Sequence, residues 1–329
     1  MYFLSNPLIE LALVHFDRLE LKDKVKEGDW YFSTFGPGNI INATDRPHER
    51  FSDYETLLNL LHKRDQQKYE KIHKGTPFFF LSWLAFDLRN YEKALYYLDA
   101  AISEDVKNFG ATWVNLPGAQ YLKLSTQPHV AERVIKNMRE LLTRHLGRFN
   151  SISFIDPINL NDFVAKFITN FMHNSSSRTI ISAFYIFLLE HTERLVELRL
   201  KSTEGSSIGP IISHLFSGGL IFESILKILY PRKDNGDLVM TLGDVFYTST
   251  FQTDFGKGFQ TCALSLKKVL GGIVDNSLLT AFSTTARVRN TTGHNLVWDN
   301  IFDSISNYES IMNQIVNALL FVIERKFIR

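Results

Sequence analysis

One short segment in the last part of the sequence combines an arginine, an asparagine and a histidine at close spacing. It consists of Arg289-Asn290-Thr291-Thr292-Gly293-His294. A histidine, whose ordinary pKa is about 6.5, can both accept and give a proton near neutral pH. An arginine carries a fixed charge and a fork of donors that matches phosphate oxygens. These residue types suit cleavage of RNA through its own 2′-hydroxyl, which requires proton transfer and a cation at the phosphate but no external nucleophile.

Asn290 is four residues from His294, so a helical turn would bring the two side chains to one face. There Asn290 would orient the imidazole or the phosphate. The alternative is that Asn290 only ends a helix, and that Arg289 and His294 are a helix cap or a buried pair. Glu223 is polar on a mostly apolar helix and has two interpretations: a surface salt bridge, which we favour, and a position near the segment.

Basic residues are concentrated on the N-terminal side of this segment. Between residues 256 and 294, five cations other than histidine face a single acid, Asp275. Contact with a phosphate backbone requires such a positive strip. We therefore predict that Lys267, Lys268 and Arg287 bind RNA, with Arg287 as the best candidate for a second phosphate contact. A solvated helix face would explain the two lysines equally well.

The segment resembles the signature of the HEPN superfamily, an arginine and a histidine separated by four to six residues, the first of them polar. Arg289, Asn290 and His294 match this signature. Arg139 and His145 also satisfy the spacing, but Glu140 stands where the signature often has asparagine, so this pair lacks the amide, and it lies in an amphipathic helical pattern. The resemblance implies a metal-independent endoribonuclease without a cofactor, whose products carry a 2′,3′-cyclic phosphate and a 5′-hydroxyl. It also implies a prokaryotic toxin, antiphage or CRISPR-linked defence setting.

The same resemblance implies a homodimer, because two such segments face each other in HEPN ribonucleases. The candidate interface is the pair Gly218-Gly219 together with the final helix. The pattern predicts that helix over residues 299–327, with an apolar stripe whose members are three and four apart. Further helices are predicted over residues 178–201, 210–230, 258–270 and 277–288, with Gly218-Gly219 interrupting the second of them. Together they predict a C-terminal helical bundle.

The N-terminal part resembles one tetratricopeptide repeat over residues 81–105. Leu81, Ala94, Leu98 and Ala101 occupy positions where that repeat packs one helix on the next, although Ser82 stands where glycine is usual. A single repeat cannot form a solenoid. We therefore predict a helical-hairpin domain that docks or senses a protein or ligand regulator.

Composition limits the remaining possibilities. The 329 residues carry a net charge of +1 and contain one cysteine, Cys262. A disulfide framework is therefore excluded within the chain, and a cytoplasmic location without a membrane span is expected. Residues 150–161 are predicted to form a connector, and Asn174 a turn that begins a helix. The boundary near that turn divides the chain into predicted domains 1–174 and 175–329. Residues 29–43 are expected to form a loop or a short strand.

The sequence thus predicts an all-α protein, with a helical-hairpin domain followed by a HEPN-like bundle. Its predicted activity is metal-independent cleavage of RNA by Arg289, Asn290 and His294. The alternatives are a non-catalytic HEPN-like module that binds RNA or a nucleotide, and a helical adaptor.

Overall fold

A computed structural model describes residues 7–19, 46–126, 132–152, 157–200, 208–263, 265–293 and 304–329. Within these ranges the chain is mainly helical and contains no strand, although Arg232 and Leu238 form an isolated antiparallel bridge. The predicted all-α class is therefore confirmed. The predicted loop or strand at residues 29–43 lies outside the described residues.

The contacts group the chain into two compact units, Met1–Ile135 and Lys136–Arg329. Helices of the first unit are α1 (Pro7–Arg18), α2 (Pro47–Arg64), α3 (Gln66–Lys71), α4 (Gly75–Asp87), α5 (Tyr91–Phe109) and α6 (Pro117–Leu122), with a 3₁₀ turn at Gly110–Asn115 between the last two.

Helices α4 and α5 form the hairpin that the sequence predicts. Asn90 begins α5 by accepting a hydrogen bond from the backbone N–H of Lys93, and Arg89 in the turn adopts a left-handed conformation. The hydroxyl of Ser82 donates to the carbonyl oxygen of Ala94 at 2.9 Å, so this serine ties the two helices together where a glycine would only let them approach. The hairpin is confirmed, whereas the tetratricopeptide resemblance remains a prediction.

Helix α7 (Glu132–Ile152) begins just before the division and continues into the second unit. The other elements of that unit are α8, which is α-helical at Leu160–Asp162 and Thr169–Phe171 and π-helical at Phe163–Ile168, α9 (Ser175–Leu200), α10 (Gly209–Leu229), α11 (Leu242–Phe246), α12 (Ser249–Phe255), α13 (Leu266–Gly271), α14 (Leu278–Thr292) and α15 (Ile305–Ile323), which ends in a π-helical turn at Glu324–Ile328.

Helices α9, α10, α14 and α15 build the core of the second unit, with α10 packed against the other three. The predicted stripe of α15 is buried from Tyr308 to Val322, and Phe222 of α10 meets Phe282 of α14 edge to face. Residues 299–303 of the predicted final helix lie outside the described residues. Since α10 and α14 are neighbours in this core, Arg289 and Asn290 in the last turn of α14 lie on a helix that packs against α10.

Two local predictions were wrong. Helix α10 runs through Gly218 and Gly219 without interruption, since close packing against other helices compensates for the two glycines. The predicted helix 258–270 is helical only from Leu266. Gly256 and Gly258 both have φ near +93°, which an α-helix cannot contain, and residues 257–263 are irregular.

The division between the units also differs from the one expected after residue 174. The described residues 136–152 and 157–173 pack with the C-terminal helices: Phe149 contacts Phe321, and Phe167 and Phe171 both contact Phe327. The predicted connector therefore lies within the second unit, between α7 and α8, and not at its edge.

Among the described helices, α10 alone has the length and apolar composition that could cross a membrane. Most of its apolar window is buried within the second unit, and the same helix carries Glu223. A core helix of a globular unit has these properties too.

Candidate active site

Helix α14 carries three of the predicted site residues near its C-terminal end. The hydroxyl of Ser277 caps its first turn by accepting from the backbone N–H of Thr280, and Gly293 follows its last residue, Thr292. Arg289 and Asn290 lie in the last turn, directly before Gly293. The predicted catalytic residue His294 lies outside the described residues.

A close approach of two helices sets the position of Arg289. A Cβ on Gly219 of α10 would lie 2.7 Å from the Cβ of Arg289 and 3.1 Å from its Cα, so only glycine lets α14 come this near. One turn further along α10, a carboxylate oxygen of Glu223 accepts a hydrogen bond from Nε of Arg289. Glu223 therefore lies beside the motif, which was the less favoured of its two interpretations.

Glu223 does not form a surface salt bridge. Its side chain is only 4% exposed, whereas that of Arg289 is 34% exposed. A carboxylate removed from water needs a charged partner to remain ionised, and the guanidinium is such a partner. The buried acid consequently fixes the basal part of the guanidinium and leaves its outer edge toward solvent.

Asn290 completes the support of Arg289. Its side-chain oxygen accepts from Nη1 of Arg289 at 3.1 Å, and its amide nitrogen donates to the carbonyl oxygen of Thr261 at 2.8 Å. The nitrogen Nη2 of Arg289 has no hydrogen-bond partner among the described residues. The structure thus places Asn290 as a group that orients the arginine, and the predicted contact with an imidazole remains untested.

The irregular segment 259–263 lies along α14 and is held by three of its side chains. The backbone N–H of Gln260 donates to the hydroxyl of Ser283 at 3.0 Å, and the hydroxyl of Thr291 donates to the carbonyl oxygen of Ala263 at 2.7 Å. Asn290 supplies the third hydrogen bond. This segment therefore braces the last two turns of α14, where the site residues lie.

Arg287 faces away from Arg289. Its Nη2 donates to the carbonyl oxygen of Lys268 at 2.7 Å, and its Nη1 would lie 2.3 Å from a Cβ on Gly272. Arg287 thus caps the C-terminal end of α13, while Arg289 contacts α10. Two residues apart on a helix point to different sides, so the structure does not bring these two arginines to one phosphate.

Lys267 and Lys268 are both exposed on α13. The contact between Arg287 and the backbone of Lys268 brings the three predicted RNA-binding residues to the same side of α14. They form a basic surface next to the helix face that carries Arg287. Their binding to RNA remains a prediction.

The second arginine–histidine pair has a different environment. His145 is buried on α7, and its Nδ1 lies 3.1 Å from Nη2 of Arg148. Burial, and then the charge of Arg148, lowers the pKa of His145 to about 3. A histidine with this pKa binds no proton near neutral pH, so Arg139 and His145 are unsuited to the acid–base chemistry that the motif would perform.

The elements proposed for a dimer interface are used within the second unit. A Cβ on Gly218 would lie within 3 Å of the ring of Phe187 and the side chain of Ile315. From Tyr308 to Ile323, most of α15 is buried in the same unit. The small residues of α10 therefore serve internal helix packing, and a homodimer would need another surface.

Lys227 is a site residue that the sequence reasoning missed. Its ammonium lies 2.6 Å from Oε1 of Glu223 and donates to the carbonyl oxygen of Met240 at 2.7 Å. Its side chain is 34% exposed, as is that of Arg289. The spacing of four between Glu223 and Lys227 on a predicted helix was the available signal. We call Glu223, Lys227 and Arg289 the Glu223 cluster.

The Glu223 cluster can bind an anion. It has two cations and one carboxylate, hence a net charge of +1, and both cations reach solvent.

The described residues contain no group of three histidine, cysteine or acidic side chains that could hold a metal ion. Comparison with family models, with curated proteins and with solved structures finds no match to this chain.

Proposed function

We propose that this chain is a metal-independent endoribonuclease of the HEPN type. The observation that carries the proposal is the half-exposed guanidinium of Arg289, held by a buried carboxylate and by Asn290 in the last helical turn before His294. A preorganised cation adjacent to a histidine is what phosphodiester cleavage through the 2′-hydroxyl requires.

In the proposed reaction His294 takes the proton of the 2′-hydroxyl, and the 2′-oxygen forms a bond to phosphorus. The bond from phosphorus to the 5′-oxygen breaks, and that oxygen receives a proton from the histidine. The products are a 2′,3′-cyclic phosphate and a 5′-hydroxyl. The Nη2 donors of Arg289 offset the charge that develops on the phosphoryl oxygens.

The wider setting belongs to the same proposal. RNA is the substrate, the enzyme acts in the cytoplasm as a homodimer in a toxin or antiviral defence system, and the first unit binds a regulator. The Glu223 cluster fits a non-catalytic RNA- or nucleotide-binding module equally well, because its net positive charge serves binding as well as cleavage.

Cleavage of labelled single-stranded RNA in excess EDTA tests the proposal. Wild type is expected to cleave, and His294→Ala is expected to lose about a hundredfold or more in rate. The matched control is His48→Ala, which removes an exposed histidine of the first unit. Arg289→Lys, which keeps the charge but loses the fork of donors, is expected to lose rate as well, with Arg199→Lys on the exposed face of α9 as its control.

Cleavage that disappears when EDTA is added, or that persists in His294→Ala, contradicts the proposal. Binding of RNA by the wild type without any cleavage supports the non-catalytic module instead. Thermal unfolding of each variant shows whether a lost rate reflects a lost fold.

A further inference from the structure

We propose that Lys227 binds a second phosphate of the RNA, on the side of Arg289 that faces away from Gly293 and the C-terminal end of α14. This inference rests on the proposed function, since it extends the same site by one contact. It replaces Arg287, which the sequence favoured for that role. Arg287 caps α13 and faces another side of α14.

The geometry of the Glu223 cluster supports this role. Glu223 accepts a hydrogen bond from Arg289 with one carboxylate oxygen and pairs with Lys227 through the other. The two cations therefore lie on opposite sides of a single carboxylate group. Neither is fully neutralised, because one buried negative charge serves two positive ones. Each cation retains a donor that no described residue uses, since Lys227 contacts only Glu223 and Met240.

The order of residues along α10 gives the direction. Gly219, Glu223 and Lys227 follow one another at intervals of four, which places them on one helix face about 6 Å apart per step. Gly293 packs against Phe216, near the start of this row: a Cβ on Gly293 would lie 3.2 Å from that ring. Gly293, the last described residue of the motif, therefore lies at the Phe216 end, Arg289 lies beside Gly219 and Glu223, and Lys227 lies at the far end.

In this proposal the phosphate bound by Lys227 is therefore a neighbour of the phosphate whose bond to the 5′-oxygen breaks. A contact to a non-reacting phosphate contributes equally to substrate and transition state, so its loss raises KM and leaves kcat unchanged. Loss of a contact to the reacting phosphate would lower kcat. The alternative explanation, in which Lys227 serves only to neutralise Glu223, predicts neither change on its own.

The experiment measures the affinity of a short 2′-O-methyl oligonucleotide of mixed sequence at several salt concentrations, together with KM and kcat for the corresponding RNA in EDTA. For Lys227→Gln we expect the slope of log affinity against log salt to fall by about 0.7, with a higher KM and an unchanged kcat. Lys227→Arg should restore the slope. Lys233→Gln is the matched control, because Lys233 pairs with the more exposed Asp244 and has a similarly exposed side chain.

The outcomes separate this inference from the proposed function. If wild type cleaves RNA and Lys227→Gln keeps the wild-type slope and KM, the inference is overturned and the ribonuclease proposal stands. A fall in kcat with an unchanged KM also overturns it, since Lys227 would then act on the reacting phosphate. If wild type neither cleaves RNA nor binds the oligonucleotide, both proposals fail.

Discussion

Each unit contains an ion pair with one buried partner, and the two pairs differ in which groups reach solvent. In the first unit, Lys74 is 3% exposed and uses its ammonium on Glu104 at 3.2 Å and on the carbonyl oxygens of Tyr69 and Ile72. In the second unit, Glu223 is buried, but Arg289 and Lys227 are each one-third exposed.

This difference separates a structural pair from a candidate binding site. The ammonium of Lys74 has three donors and three acceptors, so no donor remains for a ligand. The cations of the Glu223 cluster are positioned by a buried acid and keep donors toward solvent. A buried ion pair is costly to desolvate in either case, but only the second arrangement offers its charge to another molecule.

The largest expected effect is a loss of stability on acidification, which limits the pH range in which the two clusters can be compared. Burial lowers the pKa of His145 to about 3, of His191 to about 4 and of His214 to about 3, and the charges of Arg148 and Arg144 add to this for the first two. These histidines lie in the second unit, around Tyr308.

In the unfolded chain each histidine binds a proton below about pH 6.5, whereas in the folded protein it stays neutral until the pH falls to about 3 or 4. The free energy of unfolding therefore falls as the pH drops below 6.5. At pH 5 each histidine costs about 2 kcal/mol, and the three together at most about 6 kcal/mol. Urea unfolding at pH 7.5 and pH 5 measures this, and equal stabilities at the two values would contradict it.

Replacing Lys74 breaks its ion pair with Glu104 in the first unit. Lys74→Met leaves Glu104, whose side chain is 14% exposed, and two carbonyl oxygens without the buried ammonium. It should lower the free energy of unfolding by about 1–3 kcal/mol, without affecting RNA cleavage under conditions where the variant is folded. Urea unfolding gives the first quantity and the EDTA cleavage assay the second. Lys63→Met on the exposed side of α2 is the control, and a loss of similar size there would remove the distinction.

A side chain at Gly219 is expected to displace Arg289 within the Glu223 cluster. Gly219→Ala should lower the free energy of unfolding by about 1–3 kcal/mol, because its Cβ overlaps Arg289, and should reduce cleavage by moving the guanidinium. Gly147→Ala is the matched control: nothing lies within 4 Å of its Cβ, so it should stabilise α7 by about 0.5–1 kcal/mol. Thermal unfolding measures the change in stability, and the cleavage assay measures the change in rate. Equal effects of the two substitutions would contradict the close approach of α14 to Gly219.

The smallest effect on stability is expected when Lys227 of the Glu223 cluster is replaced. Lys227→Gln should lower the free energy of unfolding by about 1 kcal/mol or less, since a one-third exposed cation is screened by water. Its main consequence should be in RNA binding. Urea unfolding of Lys227→Gln beside Lys74→Met gives the contrast directly, and a comparable loss from both would assign Lys227 a structural role.

The helices could largely be predicted from local patterns. The stripe of α15 has one side chain every three or four residues, and Pro210 marks the first turn of α10. The failure at residues 258–263 has a local cause as well: the left-handed conformation of Gly256 and Gly258 depends on the chain around them, and no apolar periodicity reveals it.

The candidate site could be predicted in part. Residue types indicated Arg289 and Asn290, but the partner of Arg289 is 66 residues away, and its identity depends on which face of α10 meets α14. Helical spacing alone could have shown that Arg287 and Arg289 point apart, and that Glu223 and Lys227 pair. The role of Asn290 as a support for Arg289 depends on the path of segment 259–263, which sequence periodicity does not describe.

Segment 259–263 also offers a way to observe the site directly. Asn290 donates a hydrogen bond to the carbonyl oxygen of Thr261, and Thr291 donates one to that of Ala263. The residue between Thr261 and Ala263 therefore has a neighbour on each side that is bound to the last turn of α14. That residue is Cys262, the single cysteine of the chain, and it is exposed. A fluorophore on its thiol would report ligand binding at Arg289 without any engineered substitution. Its emission would change when a ligand displaces the side-chain amide of Asn290, which is bonded to both Arg289 and Thr261.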